Sequence, residues 1–458
     1  MSLDVVILAA GQGTRMKSRL PKVLHSLAGR PLILYSVETA TSLSQRPPVL
    51  VIGHGAEKVR QTVGEAARYV LQEEQLGTGH AVAQARELLS GQSEHVLVIY
   101  ADMPLLRAET LRKLHALQQR NPGPFSLLTH VTDTPRGFGR IIRDKGGLVR
   151  AIVEEAVATP DQLAIREVNM GVYCFSAGWL WENLDRIPLS PKGEYYLTDL
   201  VEIAASEDLP IQAMLLNDPD EALGINTRVH LAEAEAALRR RVNRELMLSG
   251  VTITDPATTY VHPTVRIGRD TVILPNTYIW GQTTIGEGCV IGPNAIIEDS
   301  AIGDRCRIVV SVIEQATIED EVDIGPFGHL RKGAYLESGV HMGNFGEVKN
   351  SRLRKGVKMG HFSYIGDADI GENTNIGAGT ITCNYDGEKK HRTTTGKNVF
   401  LGSDTMLVAP VTLGDGARTG AGAVVTRDVP PDTLVVGVPA RPRARQTSRR
   451  KKKSHQEG

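Results

Sequence analysis

Aliphatic residues in the second half of the chain recur at every sixth position. Val261, Ile267, Ile273, Ile279, Ile285 and Ile291 form one series, Ile318, Ile324, Leu330, Leu336, Met342 and Val348 a second, and Leu401, Leu407 and Leu413 a third. A period of six is neither helical nor the simple alternation of a strand. It is the hexapeptide rhythm of a parallel β-helix, in which each aliphatic residue fills a triangular prism and a small residue after it lets the chain turn a corner. Three hexapeptides make one coil, so residues 251–437 predict about ten coils stacked at roughly 4.8 Å. The step shortens to five from Ile297 to Ile302 and from Val348 to Leu353, which predicts irregular coils there. After Thr382 the beat resumes only at Thr395. The residues between have no place inside a prism and are expected on its surface or reaching a neighbouring subunit.

The first half follows a different grammar. Apolar runs at 4–10, 48–52, 95–100 and 125–129 alternate with helical periodicities at 32–41, 56–67, 80–89 and 108–119. This predicts an α/β domain over 1–227 with a Rossmann-like, mostly parallel sheet, whose ligands bind beyond the carboxyl ends of the strands. Leu231, Ala234, Leu238, Val242 and Leu246, spaced by three and four, predict an amphipathic helix in the connecting segment 228–250. Such a helix would join the halves as a rigid connector, with Arg239-Arg240-Arg241 on a solvated face.

Composition changes this picture little. No run of apolar residues is long enough for a membrane span, and the first residues lack the basic leader of a signal peptide. Cys174, Cys289, Cys306 and Cys383 lack metal-binding spacing and read as reduced thiols of a cytoplasmic protein. The zero net charge hides a basic tail. Eight Lys or Arg and one Glu follow from Arg441 onward, leaving 44 basic and 51 acidic residues before it. The segment 438–458 reads as disordered, either a solubilising tail or a patch for an anionic surface; no nucleic-acid partner is expected.

Candidate chemistry sits where the grammar breaks. Gly11-Gln12-Gly13-Thr14-Arg15 follows the first strand, where backbone N–H groups can cradle a phosphate and Arg15 and Lys22 can add charge. Met16 stands where a dinucleotide fingerprint needs its third glycine. Asp102 follows the apolar run 95–100, as a metal ligand or as a turn residue. Gln72, Gln75, Gly77 and Thr78 lie in another strand-to-helix crossing, where amides can read a base or Thr78 can cap a helix. His361 is two residues past the inward Met359 and therefore points to an outer edge, where a neutral imidazole can deprotonate an amine.

The run Leu8-Ala9-Ala10-Gly11-Gln12-Gly13-Thr14-Arg15-Met16, with Leu20-Pro21-Lys22, resembles the signature of sugar-1-phosphate nucleotidyltransferases. Glu74-Gln75-Leu76-Gly77-Thr78-Gly79-His80-Ala81 narrows the resemblance to the bacterial bifunctional enzymes that acetylate glucosamine 1-phosphate and then uridylate it. It implies that Leu8, Ala9, Ala10, Gly11 and Gly13 line the UTP site, with Arg15 and Lys22 on the phosphates. Gln72, Gln75, Gly77 and Thr78 would surround uracil. Gly139, Glu154 and Asn169 would contact the sugar, and Asp102 with Asn226 would hold Mg²⁺. Ala101 stands where the family usually has glycine, and its methyl group is expected to crowd the base or ribose.

The solenoid resembles the acetyltransferase half of the same family, a left-handed parallel β-helix. The resemblance rests on Lys358-Met359-Gly360-His361 and on Asn375-Ile376-Gly377-Ala378-Gly379-Thr380-Ile381-Thr382-Cys383-Asn384-Tyr385-Asp386-Gly387. It implies His361 as catalytic base, Arg331 and Lys349 as phosphate clamps, and Tyr364 and Asn375 at the acceptor sugar. Ala378, Asn384, Tyr385, Ser403 and Ala421 would contact acetyl-CoA. Val436-Gly437-Val438-Pro439 lacks the arginine that some members place there for the CoA phosphates, and the arginines from Arg441 onward are candidates to replace it. The implied enzyme is a homotrimer joined through its β-helices, acting on glucosamine 1-phosphate, acetyl-CoA and UTP. Two alternatives have the same layout: a nucleotidyltransferase with a purely structural solenoid, and the non-enzymatic exchange subunits of translation factors. The first has no use for His361 with Asn384-Tyr385, and the second none for Arg15, Lys22 and Asp102 together.

Overall fold

The computed structural model describes residues 2–135 and 137–443. The chain forms two compact units, with the boundary between Leu238 and Arg239.

The first unit is built on a sheet whose main path runs Gln212–Leu215, Phe125–Val131, Glu167–Ser176, His95–Tyr100, Leu3–Leu8, Val49–Ile52, Arg68–Leu71. Within this path only Glu167–Ser176 runs antiparallel to its neighbours. All six residues of Leu3–Leu8 are buried, as expected of a central parallel strand covered on both faces. Alternate side chains go to opposite faces. Val5, Ile7, Leu97 and Ile99 enter one apolar cluster, Val6, Leu8, Val96 and Val98 the other. Asp4 is fully buried in that strand, and it is tolerated because Arg46 and Arg68 reach its two oxygens at 2.9 and 3.1 Å. The helix Leu32–Thr41 has the predicted bounds. The helix from Ala56 stops at Val63 and continues as a 3₁₀ turn, Gly64–Ala66. The predicted helix 80–89 is two pieces, Thr78–Ala83 and Arg86–Leu89, because the chain tightens between them, with Ala85 N–H donating to Val82 O.

Two expectations change here. Thr78 does not cap its helix; its Oγ1 accepts the N–H of Leu197 at 3.0 Å instead. The Ala101 methyl group does not face an open surface. It is fully buried in the apolar cluster that also holds Val5, Ile99 and Met103.

The connecting helix spans Arg228–Leu248 and contains the boundary between the units. Within the second unit, Asn243 Nδ2 donates to Pro256 O and Thr259 O at 3.0 Å each, fastening the helix to the first coil. Arg239 lies over the Tyr260 ring at 4.5 Å, so this part of the arginine run is packed on an aromatic face.

The second unit is a parallel β-helix with three sheets of 12, 10 and 9 strands. The predicted inward residues pair coil on coil: Ile273 with Ile291, Ile279 with Ile297, Ile324 with Met342, Leu330 with Val348, Leu336 with Leu353. Ile267, in the first coil, is only half-buried. Coils contract further than the periodicity showed. Ile308 pairs with Ile324 and Ile302 with Ile318, so five-residue steps also run from Ile308 to Ile313 and on to Ile318. After Thr382 the excursion forms a small antiparallel hairpin closed between Tyr385 and Lys390. Part of the expected tail is ordered: Arg441–Arg443 folds back antiparallel on Leu434–Val436. The remainder of the tail, 444–458, lies outside the described residues.

Candidate active sites

In the first unit the glycine loop leaves the strand Leu3–Leu8 at its carboxyl end, with Leu8, Ala9 and Ala10 buried beneath it. Gly13 has φ +64°, and a β-carbon there would come 2.5 Å from Cβ of Lys22. The glycine is what lets Lys22 pass beside the loop. Lys22 Nζ then donates to Asp102 Oδ2 at 2.5 Å and to Asn226 Oδ1 at 3.0 Å. Arg15 Nη2 also donates to Asn226 Oδ1, at 3.0 Å. Ile225 N–H donates to Asp102 O at 2.8 Å, which draws the segment carrying Asn226 to the strand end. Four predicted residues are thus linked, Lys22 bridging Asp102 and Asn226 and Arg15 sharing the Asn226 oxygen.

Across the loop, Gln12 Nε2 donates to Gln75 Oε1 at 3.2 Å. Gln72 is buried, with its Nε2 donating to Gly77 O at 3.1 Å and facing His80 Nδ1 at 3.1 Å. Gly77 has φ +98° and would clash with Tyr195 O at 2.5 Å if it bore a β-carbon. The segment Tyr195–Leu197 braces this crossing through Tyr195 N–H to Leu76 O and Gly79 N–H to Tyr195 O, both 2.8 Å.

The three residues expected at the sugar also meet. A β-carbon on Gly139 would lie 3.4 Å from Glu154 Oε1, and Asn169 N–H donates to Gly139 O at 2.9 Å. Asn169 Nδ2 donates to the Tyr173 hydroxyl at 2.7 Å and its Oδ1 accepts from Gly171 N–H, which locks the amide. Burial pushes the Glu154 carboxyl up, partly offset by Lys192. Burial, then Glu202 and Glu154, push Asp199 up to about 6. Lys192, Tyr195 and Asp199 were not singled out by sequence, because they come from a loop and helix start with no periodic signal.

In the second unit, His361 sits at the corner between the strands Lys358–Met359 and Ser363–Gly366 and is exposed, as its register predicted. Registers Met342–Met359, Met359–Ile376 and Ile376–Leu401, continued by Phe400–Arg418, set Asn344, His361, Ala378, Ser403 and Ala421 in one column along this corner. Backbone bonds tie successive corners: Gly379 N–H to Phe362 O at 2.7 Å, Asp404 N–H to Ala378 O at 2.6 Å and Gly422 N–H to Ser403 O at 2.8 Å. Tyr364 and Asn375 each precede an inward residue, Ile365 and Ile376, and so point outward from the two sheets that meet there. Asn384 is buried, with Nδ2 3.4 Å from the Tyr364 hydroxyl and 2.5 Å from Asp367 Oδ2. Tyr385 is exposed within the hairpin, its hydroxyl donating to Gly387 O at 2.5 Å.

Arg331 and Lys349 follow paired inward residues, Leu330 and Val348, on neighbouring coils. Arg331 is held by Glu347 at 2.8 Å. Lys390 beside it, and then Arg331, hold the Lys349 ammonium below the ordinary lysine range. Three cations crowded on one surface are poised for an anion. Lys390 escaped sequence reading, although the Asp386-Gly387 turn signalled a hairpin that returns the chain to this face. That hairpin is cemented by Asp386, whose Oδ1 accepts Glu388 and Lys389 N–H at 2.8 and 2.7 Å and whose Oδ2 meets His391 Nε2 at 2.6 Å.

Comparison with known proteins joins the two sites. The MobA-like NTP transferase domain family matches residues 5–169, and the bacterial transferase hexapeptide family matches 264–299 and 392–427. Bifunctional protein GlmU of Heliobacterium modesticaldum is 49% identical over 432 residues, covering 94% of each chain. Its namesake from Pelobacter propionicus is 48% identical over 95% of each chain, and that from Stutzerimonas stutzeri 49% identical over 95% of this chain and 96% of its own. The chain belongs to the bifunctional GlmU family. Likeness at that coverage takes in both sites. Nucleotidyltransferases of the GlmU family use a divalent metal, and the residues present fit one. Asp102 and Asn226 aim two oxygens at a common point, where the Lys22 ammonium now stands in for a cation. No group of three His, Cys, Asp or Glu gathers anywhere among the described residues, so a metal held by Asp102 and Asn226 would need further ligands from outside the protein. Among the described residues no helix is long and apolar enough to cross a membrane.

Proposed function

We propose that the two sites act in succession on one amino sugar. The solenoid acetylates glucosamine 1-phosphate from acetyl-CoA, as a glucosamine-1-phosphate N-acetyltransferase. The first unit then transfers UMP from UTP to N-acetylglucosamine 1-phosphate, as a UDP-N-acetylglucosamine diphosphorylase, releasing pyrophosphate. The observation that carries this reading is the pairing, in one chain, of a solenoid bearing an exposed imidazole and a three-cation cluster with a separate glycine loop beside the Lys22–Asp102–Asn226 group.

In acetyl transfer, Arg331, Lys349 and Lys390 hold the sugar phosphate, and Tyr364 and Asn375 orient the sugar. His361 takes a proton from the amine as the amine nitrogen bonds to the thioester carbonyl carbon; the carbon–sulfur bond then breaks, and the departing sulfur takes up a proton from the imidazolium to leave as the CoA thiol. Ala378, Ser403 and Ala421 offer small side chains along the corner, which leaves a channel for the acyl carrier. Asn384 steadies Tyr364, and Tyr385 borders the carrier.

In uridylyl transfer, a phosphate oxygen of the sugar attacks the α-phosphorus of UTP as the bond to pyrophosphate breaks in line. Leu8, Ala9, Ala10, Gly11 and Gly13 shape the nucleotide cradle. Arg15 and Lys22 neutralise charge on the phosphoryl oxygens as it spreads. Gln72, Gln75, Gly77 and Thr78 surround the base, while Gly139, Glu154 and Asn169 bind the sugar. Asp102 and Asn226 would hold Mg²⁺, which would supply further charge neutralisation at the phosphates.

The exposed phenylalanines Phe327 and Phe345, stacked at 4.9 Å on neighbouring coils, support a homotrimer packed through the β-helices. Four free cysteines and two nucleotide cosubstrates support a cytoplasmic location and a role in building cell-wall and envelope precursors. The test is mass analysis of products from the purified chain with glucosamine 1-phosphate, acetyl-CoA, UTP and Mg²⁺. N-acetylglucosamine 1-phosphate should form first and UDP-N-acetylglucosamine second. Failure of either product to form would remove the corresponding half of the proposal.

A further inference from the structure

His80 lies between two side-chain amides. Its Nδ1 is 3.1 Å from Nε2 of Gln72, and its Nε2 is 3.1 Å from Nε2 of Gln84. Gln72 Nε2 also donates to Gly77 O at 3.1 Å, and a carbonyl can only accept, so that atom is the amide nitrogen. Both hydrogens of the Gln72 amide are therefore committed, one to Gly77 and one to His80. Its carbonyl oxygen takes no hydrogen bond from any described residue and is not sealed from solvent.

The tautomer of His80 follows. With Nδ1 accepting from Gln72, the ring proton of neutral His80 lies on Nε2. The half-exposed Gln84 then turns its oxygen to that proton and gives up its 3.1 Å bond to His80 O, a bond water can replace, whereas Gln72 is buried and would lose its bond to Gly77 O on turning. We infer that His80 is a positioning residue for nucleotide choice: it fixes the Gln72 amide with its oxygen toward the base, so that the site favours uracil over cytosine. The inference rests on the placement of Gln72 at the base. Uracil carries an N3–H that a carbonyl oxygen accepts. Cytosine presents a bare N3 lone pair there, which would face the oxygen's own lone pairs. An amide free to rotate would instead offer N–H to cytosine and lose the distinction, because a polar site rejects the wrong base only while its groups are held.

The experiment measures kcat/KM for UTP and CTP in uridylyl and cytidylyl transfer to N-acetylglucosamine 1-phosphate. The isomeric pair H80N and H80Q discriminates. Asparagine places its oxygen near the position of Nδ1 and keeps the acceptor for Gln72, whereas glutamine places it near Nε2 and does not. H80Q should lower the UTP/CTP ratio by about three- to tenfold, the worth of one hydrogen bond, and H80N should stay within about twofold of the parent. Q72A should lower the ratio at least as far, and adding H80Q to Q72A should lower it no further. If H80Q slows both nucleotides equally, or leaves the ratio unchanged while Q72A lowers it, the role of His80 is overturned and Gln72 keeps its place at the base. If Q72A also leaves the ratio unchanged, the placement of Gln72 itself fails.

Discussion

Lys22 and the divalent cation proposed for Asp102 and Asn226 would be rivals for the same position in the nucleotidyltransferase site. The Lys22 ammonium is 2.5 Å from Asp102 and 3.0 Å from Asn226, and the Lys22 and Asp102 side chains are only 13% and 18% exposed. A hydrogen bond between charged groups is worth about 1.5–3 kcal/mol when shielded. Residual exposure favours the lower part of that range. Lys22→Met removes this internal competitor and one nearby positive charge, and both changes favour a metal. The variant should bind Mn²⁺, as a probe for Mg²⁺, about 10- to 100-fold more tightly than the parent in the absence of nucleotide, at about 1.4 kcal/mol per tenfold. Uridylyl transfer should move the other way, falling about 100- to 1000-fold with the loss of a charge-stabilising donor. Calorimetric or paramagnetic titration of the nucleotide-free protein gives the first quantity and a pyrophosphate-release assay the second. Asp102→Asn serves as the control that loses metal. Unchanged or weakened Mn²⁺ binding in Lys22→Met would refute the shared position.

His361 is exposed, so His361→Ala should leave the fold intact and reduce acetyl transfer about 100- to 10,000-fold, with uridylyl transfer to supplied N-acetylglucosamine 1-phosphate within about twofold; equal loss of both activities in paired assays would contradict the base assignment. Lys390→Ala should raise KM for glucosamine 1-phosphate about five- to tenfold with little change in kcat, as expected for loss of one charged hydrogen bond near the surface, and a fall confined to kcat would instead put Lys390 in the chemical step. Asp199 has its carboxyl pushed up to about 6 from 3.8, so its ionisation in the folded protein costs stability as pH rises through that interval. Asp199→Asn should therefore raise the melting temperature of the first unit at pH 8, with the advantage shrinking below pH 6 and gone near pH 4; an advantage independent of pH would disprove the burial argument.

The solenoid was legible because repetition forces it to be: Ile273, Ile291, Ile324 and Met342 fill one interior, and the period that predicts them is the coil itself. The short steps from Ile308 to Ile313 to Ile318 were missed because corners absorb a lost residue while the inward side chains stay paired. In the first half the strands were visible as apolar runs, and the fold brings Arg15, Lys22, Asp102 and Asn226, each singled out by its motif, into mutual contact. Contacts made only by tertiary folding were not visible. Thr78 meets Leu197 across 119 positions, and Lys390 meets Lys349 only because a hairpin outside the period folds back. Ala101 misled for a related reason. A one-letter departure from a motif does not say which way the strand end turns its methyl group, and here it turns inward.

The corner that carries His361, Ala378, Ser403 and Ala421 works as a graduated ruler. Each coil is one division of about 4.8 Å, so the reach from imidazole to the last of these residues is three divisions, roughly 14 Å. If the corner holds the acyl carrier as proposed, a whole coil gained or lost between them would change the carrier length it accommodates by one division while every interior side chain stayed in step. Acyl-carrier selection in such a protein can therefore evolve by counting, without redesign of any contact.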